Sequence, residues 1–171
     1  MLEGVRYRAA TPRDATVVAA LVADGFSTYR DFAPPGWQPR RAIQEEPEIH
    51  ERLNRGDVHA RAALAGGALV GFTGWMPAIT RREPREPIPG RAHLWSLFIA
   101  RDWWGSGLAG ALLDWSTTGM RDSGFDTAQL WTPRAHARAR AFYEREGWTG
   151  PSRAEFSPDL RLDLVLYERD L

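Results

Sequence analysis

The stretch from Leu94 to Gly110, Leu-Trp-Ser-Leu-Phe-Ile-Ala-Arg-Asp-Trp-Trp-Gly-Ser-Gly-Leu-Ala-Gly, constrains the fold more than any other part of the chain. An apolar strand passes through a short polar turn into glycines that open a helix, and glycine lets backbone N–H groups approach a ligand closely. Leu108, Leu112, Trp115 and Gly119 recur at steps of four and three, so the spacing predicts a helix starting near Gly107. Its first turn leaves N–H donors unpaired at the positive end of the helix dipole, which suits a phosphate.

Gly105-Ser106-Gly107-Leu108-Ala109-Gly110 also fits the G-x-G-x-x-G string of dinucleotide-binding folds. In those folds the glycines follow the first strand directly, and an acidic residue stands about 20 residues further on at a strand end. Here Arg101-Asp102-Trp103-Trp104 intervenes, the next strand from Thr127 to Trp131 runs into Thr132-Pro133-Arg134, and too little chain remains for a second half-sheet. A Walker-type loop is excluded because the chain contains no lysine. The glycines around Ser106 have the wrong spacing for the G-x-S-x-G elbow of serine hydrolases.

Two blocks together resemble the GNAT superfamily of acyl-CoA N-acyltransferases. The family's pyrophosphate loop reads Gln/Arg-x-x-Gly-x-Gly/Ala, and Trp104-Gly105-Ser106-Gly107-Leu108-Ala109 matches it at Gly107 and Ala109, with Trp104 at the Gln/Arg position. The family's closing helix reads Asn-x-x-Ala-x-x-x-Tyr into a Gly-aromatic pair. The segment from His136 to Trp148 keeps Ala139, Tyr143 and Gly147-Trp148, with His136 at the Asn position. Val5 to Asp14 is similar to the family's first strand and helix entry. The resemblance implies an α/β (α+β) fold, with one GNAT-like domain over residues 1–171 built on a central twisted mixed sheet flanked by helices.

The residue pattern agrees with that architecture. Val5 to Ala10 reads as a strand, and Thr11 with Asp14 forms a capping box around Pro12, opening a helix to about Gly25. An aromatic, proline-containing stretch follows from Phe26 to Trp37, then an acidic helix from about Arg41 to Leu53. His59 to Ala65 and Ala68 to Pro77 are strands joined by a Gly66-Gly67 hairpin turn. Thr80 to Gly90, with three prolines, reads as a loop. Ala92 to Ala100 is a strand, a helix runs up to Glu146, and Arg161 to Tyr167 alternates as a final strand.

Composition narrows the function classes. At 171 residues and 43% hydrophobic content the chain is long enough for one domain with a substantial core. No apolar run reaches the ~20 residues of a membrane-spanning helix, and Met1 to Gly4 lacks the regions of a secretion signal, so a cytoplasmic protein is expected. Without cysteine there is neither a disulfide nor a thiol nucleophile, and the four histidines have no metal-ligand spacing, so no metal is expected. Twenty-two arginines balance twenty-two acids, leaving no net field to attract nucleic acid or an anionic membrane. A monomer and a homodimer are both compatible with these features.

Acyl transfer from a thioester to an amine needs a deprotonated amine, a held thioester, donors for the developing oxyanion and a proton for the departing thiolate. The resemblance implies acetyl-CoA as donor. Pantetheine would lie along Leu97, Phe98 and Ile99, a backbone N–H there would face the oxyanion, and the diphosphate would meet Trp104, Gly105, Ser106, Gly107, Leu108, Ala109 and Gly110. His136, Ala139 and Phe142 are the expected contacts from the closing helix, and Tyr143 the expected acid. From the residues alone, Tyr143 also reads as a core aromatic and His136 as a solvated first-turn residue.

The strand from Ala92 to Ile99 carries no carboxylate, so His93, sharing a face with Trp95 and Leu97, is the candidate base, with water acting through Ser96 as the alternative. The expected acceptor is a small cationic or aromatic amine, with a peptide amine as the alternative, held by Phe26 to Trp37 with Glu155 to Asp159. The acidic helix reads either as an attractor for that amine or as a solvated face. An arginine at position 104 is expected to be tolerated as an added phosphate partner. A noncatalytic acyl-CoA-binding module and a dinucleotide-binding domain remain open beside the enzyme.

Overall fold

Alternating and helical hydrophobic periods along the chain resolve, in a computed structural model describing residues 2–171, into a seven-stranded mixed sheet with two helices on each face. The strands are β1 (Val5–Ala9), β2 (His59–Ala65), β3 (Ala68–Ile79), β4 (Pro87–Ile99), β5 (Thr127–Pro133), β6 (Ala154–Ser157) and β7 (Leu162–Asp170). They lie in the order β1-β2-β3-β4-β5-β7-β6, and only β4 and β5 run parallel. Helices α1 (Ala15–Ser27) and α2 (Ala42–Leu53) cover one face; α3 (Leu108–Asp122) and α4 (Ala137–Arg145) cover the other.

Each layer follows from the side chains it buries. On the first face Val18, Val22 and Phe26 of α1 pack with Phe72 of β3. On the second, Leu113 and Met120 of α3 pack with Trp75, Leu94 and Leu130. Each such side chain contributes roughly 1.5–3 kcal/mol on burial. Gly66 and Gly67, at φ 57° and 86°, make the β2–β3 turn as expected, since that turn needs a left-handed backbone at both central positions. In α3 the buried side chains include Leu108 and Leu112, whereas Trp115 is half-buried and carries the Arg61 guanidinium 4.9 Å from its ring centroid.

The structure differs from expectation at three places. β4 begins at Pro87, inside the segment read as a loop, because its first residue pairs with Ile79. β6, four residues against β7, is too short to show a period of its own. In β4, Gly74 faces Ser96 while Trp75 faces Leu94, so Trp95 is an extra residue in a β-bulge. Its ring lies over Gly74, where a Cβ would fall 2.5 Å from it, and against Phe72 at 5.5 Å. Leu97, beyond the bulge, packs with Leu108 and Leu112 on the α3 face, so it does not share a face with Trp95.

The entry to α1 is a one-turn 3-10 helix, Pro12–Asp14. Asp14 accepts hydrogen bonds from the Thr11 backbone N–H at 2.8 Å and from both Arg8 terminal nitrogens at 2.8 and 2.7 Å. The Arg8 contact, foremost, holds the carboxyl at a pKa of about 2, well below an ordinary aspartate. A depressed carboxyl stabilises the fold fully above the unfolded pKa and loses that contribution as pH falls toward the folded one. Asp14→Asn is expected to lower stability by about 1 kcal/mol at pH 7. In denaturant titrations the difference from wild type should shrink between about pH 4 and pH 2.

Candidate active site

Strand β4 pairs with β3 along most of its length but with β5 only at Arg91↔Thr127, Ala92↔Ala128 and His93↔Gln129. From Leu94 onward its edge toward β5 has no strand partner, while β5 continues pairing with β7 to Pro133. A cavity of about 840 Å³ opens there, walled by residues 94–99 of β4, 130–133 of β5, the start of α3 and one side of α4. An extended ligand bearing amides can take up such an edge as another strand would. Leu97, Phe98 and Ile99 all line it, as expected for a pantetheine-binding segment.

The turn after β4 leads into the cavity's mouth. Arg101–Trp103 forms a 3-10 turn, and Gly105 and Gly107 follow at φ 77° and 91°, with Gly107 at the N-cap of α3. A Cβ at either glycine would meet no protein atom within 4 Å, so the backbone angle and the space beside it, not crowding, call for glycine. Gly105, Gly107, Ala109 and Gly110 face the cavity together with Trp104. Ser106 and Leu108 do not. The Ser106 hydroxyl donates to the Trp103 carbonyl at 2.7 Å and accepts from the Leu108 N–H at 3.3 Å, and the Leu108 side chain is wholly buried under the sheet.

Helix α4 supplies the opposite wall through His136, Ala139, Phe142 and Tyr143. His136 is not the solvated residue its position allowed. Its ring lies 5.1 Å from Tyr29 and 4.9 Å from Phe32, and burial, then the nearby Arg138 charge, lowers its pKa to about 4. The Tyr143 ring packs on Phe142, Trp148 and Tyr167 with centroids 5.2, 6.1 and 6.4 Å away. Of the two tyrosines, Tyr167 is engaged by Arg140 and Glu144 at 3.0 and 2.6 Å, whereas Tyr143 lines the cavity. Burial raises the Tyr143 phenol further above its ordinary value, and it is protonated at neutral pH.

His93 stands outside the cavity wall. It belongs to the paired part of β4, its Nδ1 is sealed from solvent without a hydrogen-bond partner, and burial, then the Arg52 charge, brings its pKa to about 4. The acidic helix does not line the cavity. Glu45 is buried in an ion pair with Arg40, Glu48 bonds Arg52 at 2.7 Å, and Glu46 accepts from Thr16 at 2.8 Å. Glu155 is taken up by Arg81 and Arg153 at 2.9 and 2.8 Å. From the aromatic stretch, Phe26, Thr28 and Tyr29 reach the cavity, and Leu160 closes it from the far side. Leu160 and Trp131, another wall residue, had no signal in the sequence beyond being apolar.

The Acetyltransferase (GNAT) family profile matches residues 23–148. The chain belongs to the GNAT acetyltransferase family. Solved structures agree on the fold: a GNAT-family acetyltransferase from Desulfovibrio desulfuricans, 24% identical, superposes with a TM-score of 0.71 over 97% of this chain and 98% of that one. The PaiA N-acetyltransferase of Thermoplasma acidophilum, solved with coenzyme A, is 16% identical with a TM-score of 0.65 over 98% and 99% of the two chains. No match was found among curated proteins. The family transfers acyl groups from acetyl-CoA, and this GNAT chain offers what that ligand needs: an unpaired strand edge, left-handed glycines beside open space, and a helix N-terminus.

Gly107→Val places a β-branched side chain at φ 91° and fills the space beside the N-terminus of α3. Calorimetric titration is expected to show acetyl-CoA affinity reduced at least about tenfold, the scale of a strained backbone of ~1–3 kcal/mol. Gly56→Val, on an exposed turn with open surroundings, should bind as wild type does.

Proposed function

We propose that this GNAT chain, acting as a single domain, transfers an acetyl group from acetyl-CoA to the primary amine of a small-molecule acceptor directly, in a ternary complex. One observation carries the reading: the cavity between the parted strands joins the unpaired edge of β4, the left-handed glycines and the Tyr143 phenol in one continuous space. When bound, the cofactor supplies an activated thioester. The amine nitrogen forms the new C–N bond as the C–S bond breaks, the amine loses a proton, and the thiolate gains one.

Tyr143 supports the second proton transfer. Its phenol lines the cavity and, like any tyrosine at neutral pH, has a proton to give; water returns one to it afterwards. The edge N–H groups between Leu97 and Ile99 support the oxyanion. For the first proton the surroundings favour water over His93. His93 lies off the cavity wall, and His136, which is on it, has a pKa of about 4 and is neutral at pH 7. The acceptor must therefore react as its neutral amine, in a pocket walled by Phe26, Tyr29, Trp131 and Leu160.

Tyr143→Phe keeps the ring and its packing. Acetyl-CoA affinity should hold while turnover falls by roughly 10²- to 10⁴-fold, and the loss should shrink with an acyl donor whose thiol has a low pKa. Wild-type turnover in the folded variant would remove the tyrosine from the mechanism. With an alkylamine acceptor, kcat/KM should rise about tenfold per pH unit until the acceptor's own pKa is reached. His93→Ala should leave that profile unchanged in shape, and loss of an inflection present in the wild type would make His93 the base.

A further inference from the structure

The family motif places a glutamine or arginine where this chain has Trp104, at the rim of the cofactor cavity. The indole is fixed at one end: its Nε1–H donates to the Ile99 carbonyl at 3.0 Å, tying it to the end of β4. Its face carries the Arg138 guanidinium, with Cζ 3.6 Å from the ring centroid, and Arg101 lies 5.7 Å from the same centroid. Arg138 belongs to the first turn of α4 and lines the cavity with Trp104, Gly105 and Gly107. One aromatic plane thus gathers two cations beside the positive end of α3.

That grouping is electrostatically incomplete. Like charges held near one another repel, and the partly positive helix end adds to the repulsion. Among the described residues, no carboxylate forms a salt bridge with Arg101 or Arg138, the two cations on this ring. Partial burial lowers the Arg138 pKa. A diphosphate lying across Gly105 and Gly107 would supply two negative charges within reach of a stacked, flat guanidinium.

We infer that Arg138 binds the diphosphate of the CoA ligand and that Trp104 is its positioning residue, so that the cation the loop lacks is delivered from α4. The inference rests on the acetyl-CoA site proposed above and adds a ligand that the loop motif does not contain. It also reverses the expectation for position 104. Arginine there removes the surface on which Arg138 rests, so a new cation is gained only as an existing one is released.

Calorimetric titrations with CoA, dephospho-CoA and pantetheine separate the outcomes. Arg138→Ala is expected to weaken CoA and dephospho-CoA alike, by roughly tenfold to a hundredfold, the scale of a charge-assisted contact, and to leave pantetheine unaffected. Trp104→Ala should weaken both nucleotides similarly, and the double variant should bind no worse than the weaker single one, because the two act as a unit. Arg138→Lys, which keeps charge but loses the flat stacking group, should fall between. Melting temperatures within about two degrees of wild type would show that these half-exposed changes leave the fold intact. Wild-type affinity in Arg138→Ala, a loss seen with CoA but not dephospho-CoA, an equal loss with pantetheine, or additive effects of the two substitutions would each overturn the assignment. If wild type itself binds no CoA, the acetyl-CoA site fails, and this inference with it.

Discussion

The parting of β4 from β5 after only three paired residues is the constraint on which the site depends. A continuous ladder would occupy the backbone edge of β4 and close the space between the strands. Instead the bulge at Trp95 adds twist just past the last paired residue, and beyond Gln129 the backbone of β5 pairs with β7 while residues 130–133 line the cavity. Unpaired strand edges are a liability for a soluble sheet unless something covers them. Here the edge lies in the middle of the sheet, sheltered between the two helical layers, where a small ligand reaches it and a neighbouring chain does not.

Polarity inside the cavity is arranged by the same geometry. The mouth carries the glycines, the start of α3 and the paired arginines on Trp104, whereas the wall from α1 and β5 is largely apolar and aromatic. Burial holds the His136 imidazole neutral and raises the phenols of Tyr29 and Tyr143 further above their ordinary value. Cationic side chains are thus gathered at the mouth, where a diphosphate would lie. Of the α2 carboxylates, Glu45 and Glu48 are paired with arginines and Glu46 accepts from Thr16, and the helix does not line the cavity.

Trp104 shows why a motif position cannot be judged by its own residue type. At the sequence level it breaks the loop pattern, and the natural reading is a missing cation. In the fold the indole is tied to Ile99 and carries a guanidinium from a helix more than thirty positions further along the chain. His136 is similar: substituted relative to the family, it is packed between aromatics of the segment after α1 and holds α4 against it.

Local chemistry made much of this protein readable from the chain. Strand, polar turn, glycines and helix follow one another between Leu94 and Gly110, and each is favoured by short-range effects: side-chain alternation, a left-handed backbone that glycine tolerates, and apolar residues at helical spacing. The Gly66-Gly67 hairpin, the Thr11-Asp14 capping box and the face of α4 that presents Ala139, Phe142 and Tyr143 are legible for the same reason. What escaped were long-range pairings. The bulge at Trp95 depends on register against Gly74, and the place of His93 off the cavity wall on its pairing with Gln129. Periodicity assigns a side chain to a face; whether that face is lined by a ligand, an arginine or another strand is set by contacts between segments far apart in sequence, and no local spacing encodes them.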